Sequence, residues 1–410
     1  MAERLLILVE NEAYPTDPRV RREADALASA GYEVTVVCPT SPYAVEREVT
    51  LGRVRVLRFH APPNGRGVIG YLREYGLAIA RIGQILVRLR KEAPFTAVIV
   101  CNPPDFLIFL PRFLARETPG LVFDYHDLSP ELFEETFARR GPIFQLLLVL
   151  ERFALRTADV VMTVNEPCAR LVRGRGRIPA NRVFVVGNCP DPRSFFEVEP
   201  RPELRNDREH LVLWVGRMSG RAARREGLRI LVEAAAELVN HKGRTDVAFA
   251  LVGGGDVRDE LAQEIERLGL DGVVHLPGEM DVDHLRDYIA TADICVSLDR
   301  RSPMTDQALV VKVLEYMIMA KPVVQSPLAE MRRICGETTL YVRDGDARDV
   351  AARIGELLDD PDRRASLGRA ARERVLDGLT WPDQVPTLLR AVQQAAFEKP
   401  SVGSTTATVP

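Results

Sequence analysis

Short runs of consecutive apolar residues alternate with helical stretches along almost the whole chain. Leu5–Val9 is apolar throughout and is closed by Glu10; the helix predicted next, Pro18–Ala30, carries Val20, Ala24, Leu27 and Ala28 on one face. Pro18 has the fixed φ that suits a first helical turn, and Gly31 the freedom that suits a stop. Glu33–Cys38, Val54–Phe59, Ala97–Cys101, Leu121–Asp124, Val160–Val164 and Val183–Val186 continue the series of strands. Helices fall between most of them, near Tyr71–Arg90, Phe106–Glu117, Pro142–Ala158 and Pro167–Arg173. A strand that is apolar at every position is covered on both faces, and strands separated by helices pair in parallel. The pattern therefore predicts a doubly wound α/β sheet.

The same pattern then occurs a second time. Between Asn188 and Glu209 the chain turns proline-rich and charged, as a linker between domains does. Beyond it come strands at Leu211–Val215, Val247–Val252, Val273–Leu276, Ile294–Leu298 and Val323–Val324. Helices are predicted at Leu228–Val239, Arg258–Leu268, Asp283–Ala290, Lys312–Met319 and Asp349–Leu358. A length of 410 residues is comfortable for two such domains. The predicted architecture is two Rossmann-like doubly wound domains facing across a cleft. Residues 1–190 form the first and 210–383 the second, with 191–209 as linker. A final helix at 384–398 is compatible with either domain, including packing back on the first, and 399–410 reads as a disordered tail. Open parallel sheets bind ligands at the carboxyl ends of their strands. Two of them facing each other suit a reaction between two substrates.

Composition removes several classes of function. A net charge of −3 draws the chain to no nucleic acid. The six cysteines are scattered singly, without C-x-x-C or zinc-finger spacing, and read as reduced core residues of a cytoplasmic protein. The N-terminal apolar run is too short for a signal peptide, and Ile143–Leu150 is too short to span a bilayer. P-loop, G-x-G-x-x-G, G-x-S-x-G and H-E-x-x-H motifs are all missing, which argues against kinases, dehydrogenases, serine hydrolases and zinc proteases. Three D-x-D triplets, Asp281–Asp283, Asp344–Asp346 and Asp360–Asp362, sit at turns and helix starts where aspartate caps, so no metal site is assigned to them.

The segment Ser302–Val324 is the most informative. A polar loop follows the strand ending at Leu298 and leads into a helix with Lys312 and Glu315 three residues apart, hence on one face. The chain has only five lysines, so one here stands out. A cation in this position can hold a diphosphate, and a carboxylate can take two hydrogen bonds from a ribose diol. By spacing alone, an ordinary surface ion pair fits equally well.

This segment resembles the donor-binding motif of the retaining GT-B glycosyltransferases of family four: a glutamate, seven residues, a second glutamate, an apolar helix and Pro-Val-Val. The resemblance extends to Asp17-Pro18-Arg19-Val20 with Arg22-Glu23-Ala24, to Asp124-Tyr125-His126-Asp127, to Ala158-Asp159-Val160-Val161 and to Asn188. In the second half it continues through Gly216-Arg217, Gly253-Gly254-Gly255-Asp256, Leu276-Pro277-Gly278 and Ala292-Asp293-Ile294. It implies that Glu315 binds the ribose hydroxyls of a nucleotide-sugar donor, UDP- or GDP-linked, and that Lys312 and Arg217 neutralise its diphosphate. Gly216 and Gly254 bring backbone close to the nucleotide, and Gln307 bonds the sugar. Asp17 and Arg19 lie on the acceptor side, and His126 contacts the transferred sugar or the acceptor. No metal or obligatory cofactor is implied. The expected reaction is sugar transfer with retention to a glycan, lipid-linked or small-molecule acceptor, as in envelope polysaccharide synthesis. A nucleotide-sugar 2-epimerase and a non-catalytic nucleotide-sugar-binding protein share the fold and are the competing readings.

Three positions depart from the family pattern. Gln307 stands where the first glutamate is usual. Glu226 stands where a second donor-loop cation is usual, with Arg221, Arg224 and Arg225 nearby to replace it. Tyr14-Pro15-Thr16-Asp17 replaces a Gly-Gly first loop. The helix from Tyr71 is basic and amphipathic. It reads either as a core-facing helix with a solvated basic side, which is favoured, or as a peripheral membrane contact on the inner face of the membrane.

Overall fold

The computed structural model describes residues 3–62, 67–114, 119–137, 140–218 and 222–398. They form two compact units: the residues up to Gly187 together with those from Gln384 on, and Asn188–Asp383.

The sheet of the first unit contains β1 (Arg4–Leu8), β2 (Glu33–Pro39), β3 (Glu48–Leu51), β4 (Val54–Phe59), β5 (Ala97–Cys101), β6 (Gly120–Tyr125), β7 (Val160–Thr163) and β8 (Val183–Val185). Their order across the sheet is β3-β4-β2-β1-β5-β6-β7-β8, parallel throughout except for β3, which pairs antiparallel with β4 at the edge. β3 is absent from the sequence-based series. Its pattern of exposed and half-buried residues is that of a half-covered edge strand, not of an apolar run. The central strands β1, β5 and β6 are buried almost throughout.

The Pro18–Ser29 helix starts where predicted. Asp17 caps it, accepting hydrogen bonds from the backbone N–H of Arg19 (2.8 Å) and Val20 (3.1 Å). The basic Gly67–Leu89 helix turns Ala78, Ile82, Leu86 and Leu89 into the core. Two of its arginines bond within the same unit: Arg81 donates to the His60 carbonyl and Arg88 pairs with Glu48. Its apolar face is therefore a packing face.

The second unit holds β9 (His210–Val215), β10 (Val247–Val252), β11 (Val274–Gly278), β12 (Ile294–Ser297), β13 (Val323–Gln325) and β14 (Leu340–Tyr341), in the order β11-β10-β9-β12-β13-β14 and all parallel. The proline-rich stretch after Asn188 lies against this unit. Cys189 and Phe195 enter its core, and Arg201 N–H donates to Thr291. Each D-x-D triplet supplies an N-cap: Asp281 for Val282–Thr291, Asp346 for Ala347–Asp359 and Asp360 for Pro361–Leu376. Residues 399–410, read from sequence as a tail, and Arg221 lie outside the described residues, and for Arg224, Arg225 and Glu226 the description stops at the helical backbone.

Candidate active site

In the first unit the polar residues gather at the carboxyl ends of β5 and β6. Asp124, the next-to-last residue of β6, is completely buried and receives a two-pronged hydrogen bond from Arg19, Nε at 2.8 Å and Nη2 at 2.6 Å. Arg19 is itself only 3% exposed. Its Nη1 donates to the Val186 carbonyl at 3.0 Å and its Nε lies 3.1 Å from Glu23. Arg19 and Glu23 are one helical turn apart on the Pro18–Ser29 helix, so both face the sheet. The remaining partner of Asp124 is His126, with Nδ1 at 3.0 Å from Oδ2. Asp124, Arg19, Glu23 and His126 thus form one contiguous ionic cluster, of which only His126 retains an accessible side chain.

The surroundings decide the charge of each member. Burial favours neutral Asp124, but Arg19 and His126 outweigh it and hold the carboxyl well below its ordinary range. Burial also opposes the imidazolium of His126, yet Asp124 beside Nδ1, helped by Asp127, raises it from 6.5 to about 9. Glu23 is pushed the other way for a carboxylate: burial first, and then the negative Asp124, raise it to about 8. At neutral pH His126 is therefore a cation that can donate a hydrogen bond through Nε2.

Asn102 fixes the loop that carries His126. It follows β5, is fully buried, and its Oδ1 accepts from the backbone N–H of His126 (2.9 Å) and of Asp127 (3.1 Å). Its Nδ2 donates to Asp105 at 3.0 Å and to the Asp127 carbonyl at 2.6 Å. Asn102 and Asp105 were not singled out in sequence. The signal was available: an amide closing an apolar strand at a sheet's carboxyl end.

In the second unit the loops after β9 and β10 touch backbone to backbone. Met218 N–H donates to the Gly254 carbonyl at 2.7 Å, and Gly216 N–H to the Val252 carbonyl at 3.0 Å. A Cβ on Gly253 (φ +134°) would run into the Gly216 carbonyl, and one on Gly255 (φ +147°) into that of Met218. Gly254 differs, since a Cβ there would meet the Glu279 side chain at 2.7 Å. Gly253 and Gly255 are thus required by the contact between the two loops.

The Val311–Ile318 helix begins beside these loops. Lys312 Nζ stands 4.5 Å from the centroid of the Trp214 ring, and a Cβ added to Gly216 would lie 3.6 Å from it. Trp214 is in β9, so the cation is held over the strand end where the Gly216 turn begins. Tyr316, one turn further on, accepts from Val215 N–H at 2.8 Å and pins the helix to β9. Glu315 is half-buried on the same helix, and Arg217 is exposed. Gln307 ends the short Thr305–Gln307 turn, and its Nε2 donates to the Pro303 carbonyl at 2.8 Å.

The expected residues therefore fall into two groups. Gly216, Arg217, Gly254, Gln307, Lys312 and Glu315 belong to the second unit, with Gly216 and Lys312 adjacent. Asp17, Arg19 and His126 belong to the first, where Asp17 is a helix cap and Arg19 reaches His126 only through Asp124.

The model for glycosyl transferases group 1 matches residues 209–360, and that for the glycosyl transferase 4-like domain matches 16–189. Among curated proteins, the alpha-maltose-1-phosphate synthase of Mycolicibacterium smegmatis is 27% identical over 63% of this chain and 69% of its own length. Two further relatives are matched over 53% and 57% of theirs. Sucrose-phosphate synthase from Thermosynechococcus elongatus superposes with a TM-score of 0.76 at 20% identity, over 96% of this chain and 98% of that one. Anabaena Alr3699/HepE in complex with UDP-glucose superposes with a TM-score of 0.70 at 18% identity, over 95% and 99%.

Proposed function

This chain belongs to the group 1 glycosyltransferases of GT-B fold, and we propose that it moves a sugar, with retention of anomeric configuration, from a UDP- or GDP-sugar to a glycan, lipid-linked or small-molecule acceptor. One observation carries the donor assignment: a lysine held over Trp214 at the strand end, beside a turn whose glycine leaves the backbone bare, with a half-buried glutamate one turn along the same helix. In this reading Lys312 and the exposed Arg217 take the diphosphate, Glu315 the ribose hydroxyls and Gln307 the sugar. Negative charge gathers on the diphosphate as its bond to the sugar breaks. Fixed cations stabilise that charge more in the transition state than in the ground state. Gln307 supplies hydrogen bonds without the charge of a carboxylate, and no residue is assigned as covalent nucleophile. The departing diphosphate accepts the proton of the attacking hydroxyl on the same face of the sugar. His126 donates a hydrogen bond to a substrate hydroxyl; as an imidazolium it has no free lone pair with which to act as base.

Thermal unfolding in the presence of UDP, GDP, ADP and TDP tests the donor site. We expect one nucleotide to raise the midpoint, and Glu315→Ala to abolish the rise. If no nucleotide shifts the wild type, or if Glu315→Ala shifts as the wild type does, the assigned site is wrong. With the donor known, the anomeric configuration of the product, read by NMR, tests retention.

A further inference from the structure

The Pro142–Thr157 helix is apolar on nearly all sides. Its inner face, with Phe144, Ala154 and Leu155, is buried, and it packs on the Asp105–Ile108 turn and on the Ser129–Phe137 and Glu166–Gly176 helices. Its outer face carries Ile143, Leu146, Val149 and Phe153, with Leu146 55% and Phe153 57% exposed. Their spacing of three, three and four residues makes one stripe about 15 Å long. Phe113 is 79% exposed on the Phe109–Leu114 helix, which packs on the same Asp105–Ile108 turn.

The exposed charges of the helix itself have one sign. The exposed positions of the Pro142–Thr157 helix that are not apolar are Gln145, Arg152 and Arg156; its one carboxylate, Glu151, is buried against Tyr125 and Arg175. Arg112 is exposed at one flank, and at the other Arg140 is exposed but paired with Glu134 of the Ser129–Phe137 helix at 2.6 Å. Arg152 and Arg156 each give Nε to a carbonyl at the end of the neighbouring helix, Arg175 at 3.2 Å and Gly176 at 3.0 Å. That contact uses one of the five N–H groups of a guanidinium.

We propose that this face docks on an anionic lipid surface, the stripe entering the acyl boundary and the arginines meeting the headgroups. A second copy of the chain fits less well. Pairing the face with itself would set arginines against arginines, and no exposed carboxylate of the helix would answer them. Docking does not depend on the proposed sugar transfer and is read without donor or acceptor.

Sedimentation of the full chain with vesicles of phosphatidylglycerol and phosphatidylcholine is the test. We expect the wild type to pellet with these vesicles and not with phosphatidylcholine alone, and added salt to release it. Leu146→Glu/Phe153→Glu should weaken partitioning more than tenfold, with its unfolding midpoint unchanged because both positions are exposed. Arg152→Gln should weaken it about fivefold, and Arg81→Glu/Arg88→Glu on the core-facing helix should leave vesicle binding intact. Wild type that stays in the supernatant, or a Leu146→Glu/Phe153→Glu variant that pellets as well as wild type, overturns the proposal. So does light scattering that shows a dimer converted by this double variant to monomer without vesicle binding.

Discussion

His126 owes its charge to its sequence neighbours Asp124 and Asp127, and through Asp124 to a residue distant from it. Asp124 is two residues away, but Arg19, which keeps Asp124 ionised, is 105 residues from it. Two substitutions separate the contributions. Asp124→Asn leaves the Arg19 guanidinium buried without its carboxylate, which should cost about 3–5 kcal/mol in urea unfolding; it should also return the His126 titration, followed by NMR, from about 9 towards 6.5. Glu23→Gln is isosteric with the protonated acid. His126 and Glu23 both have folded values above their unfolded ones, 6.5 to about 9 and 4.5 to about 8. Their contributions are therefore complete only below the unfolded values, Glu23's being lost from pH 4.5 upward through about 8 and that of His126 between 6.5 and about 9. Stability should fall from near neutrality to pH 9. Glu23→Gln should be nearly neutral at about pH 4.5, increasingly stabilising from there to about pH 8, and level above it. A Glu23→Gln effect that does not change with pH would show that Glu23 is already ionised in the folded protein.

Among the elements, the β10–Gly253 loop yields a graded prediction. Gly253→Ala and Gly255→Ala each place a methyl group against a carbonyl at positive φ, and no side chain can move aside for it. Each should destabilise by about 2–4 kcal/mol and weaken nucleotide binding with it. Gly254→Ala meets only the movable end of Glu279 and should cost under about 1 kcal/mol. Thermal denaturation of the three variants checks the ranking; equal losses at 253 and 254 would contradict it. The strands of this loop and its neighbours were legible in sequence because buried parallel strands are apolar throughout, and the Lys312–Glu315 helix because three-residue spacing fixes a shared face. The edge strand β3 was not legible, being half exposed. The Pro361–Leu376 helix was also missed, because its charged sequence shows a weak apolar face and only Gly368, Ala371 and Val375 are buried. Nor does periodicity say which of two apolar helices meets the core. The Gly67–Leu89 stripe is packed, whereas on Pro142–Thr157 the outer stripe is exposed in addition to a packed inner one.

Across the whole molecule, the last helix ties the end of the chain to its beginning. Trp381–Phe397 starts in the second unit, where Trp381 N–H donates to the Pro190 carbonyl at 2.8 Å. From Gln384 on it belongs to the first, where Gln384 accepts from Gly187 N–H at 3.0 Å and Gln394 donates to the Asn181 carbonyl at 2.9 Å. Leu388, Ala391, Val392 and Ala395 are fully buried there, and Gly120 is bare because the Ala395 carbonyl lies against it. The first unit's fold is thus completed by residues that follow the whole of the second in sequence. A chain ending at Asp383 retains all of the second unit and removes this helix from the first. Taking away one buried leucine alone costs about 2–5 kcal/mol, and four apolar contacts exceed what a marginally stable domain can lose. The shortened chain should therefore lose the cooperative unfolding of its first unit while a nucleotide still raises the transition of its second. Differential scanning calorimetry with and without the nucleotide separates the two. If both transitions survive, the helix is an accessory to the first unit; if both disappear together, the two units do not fold independently.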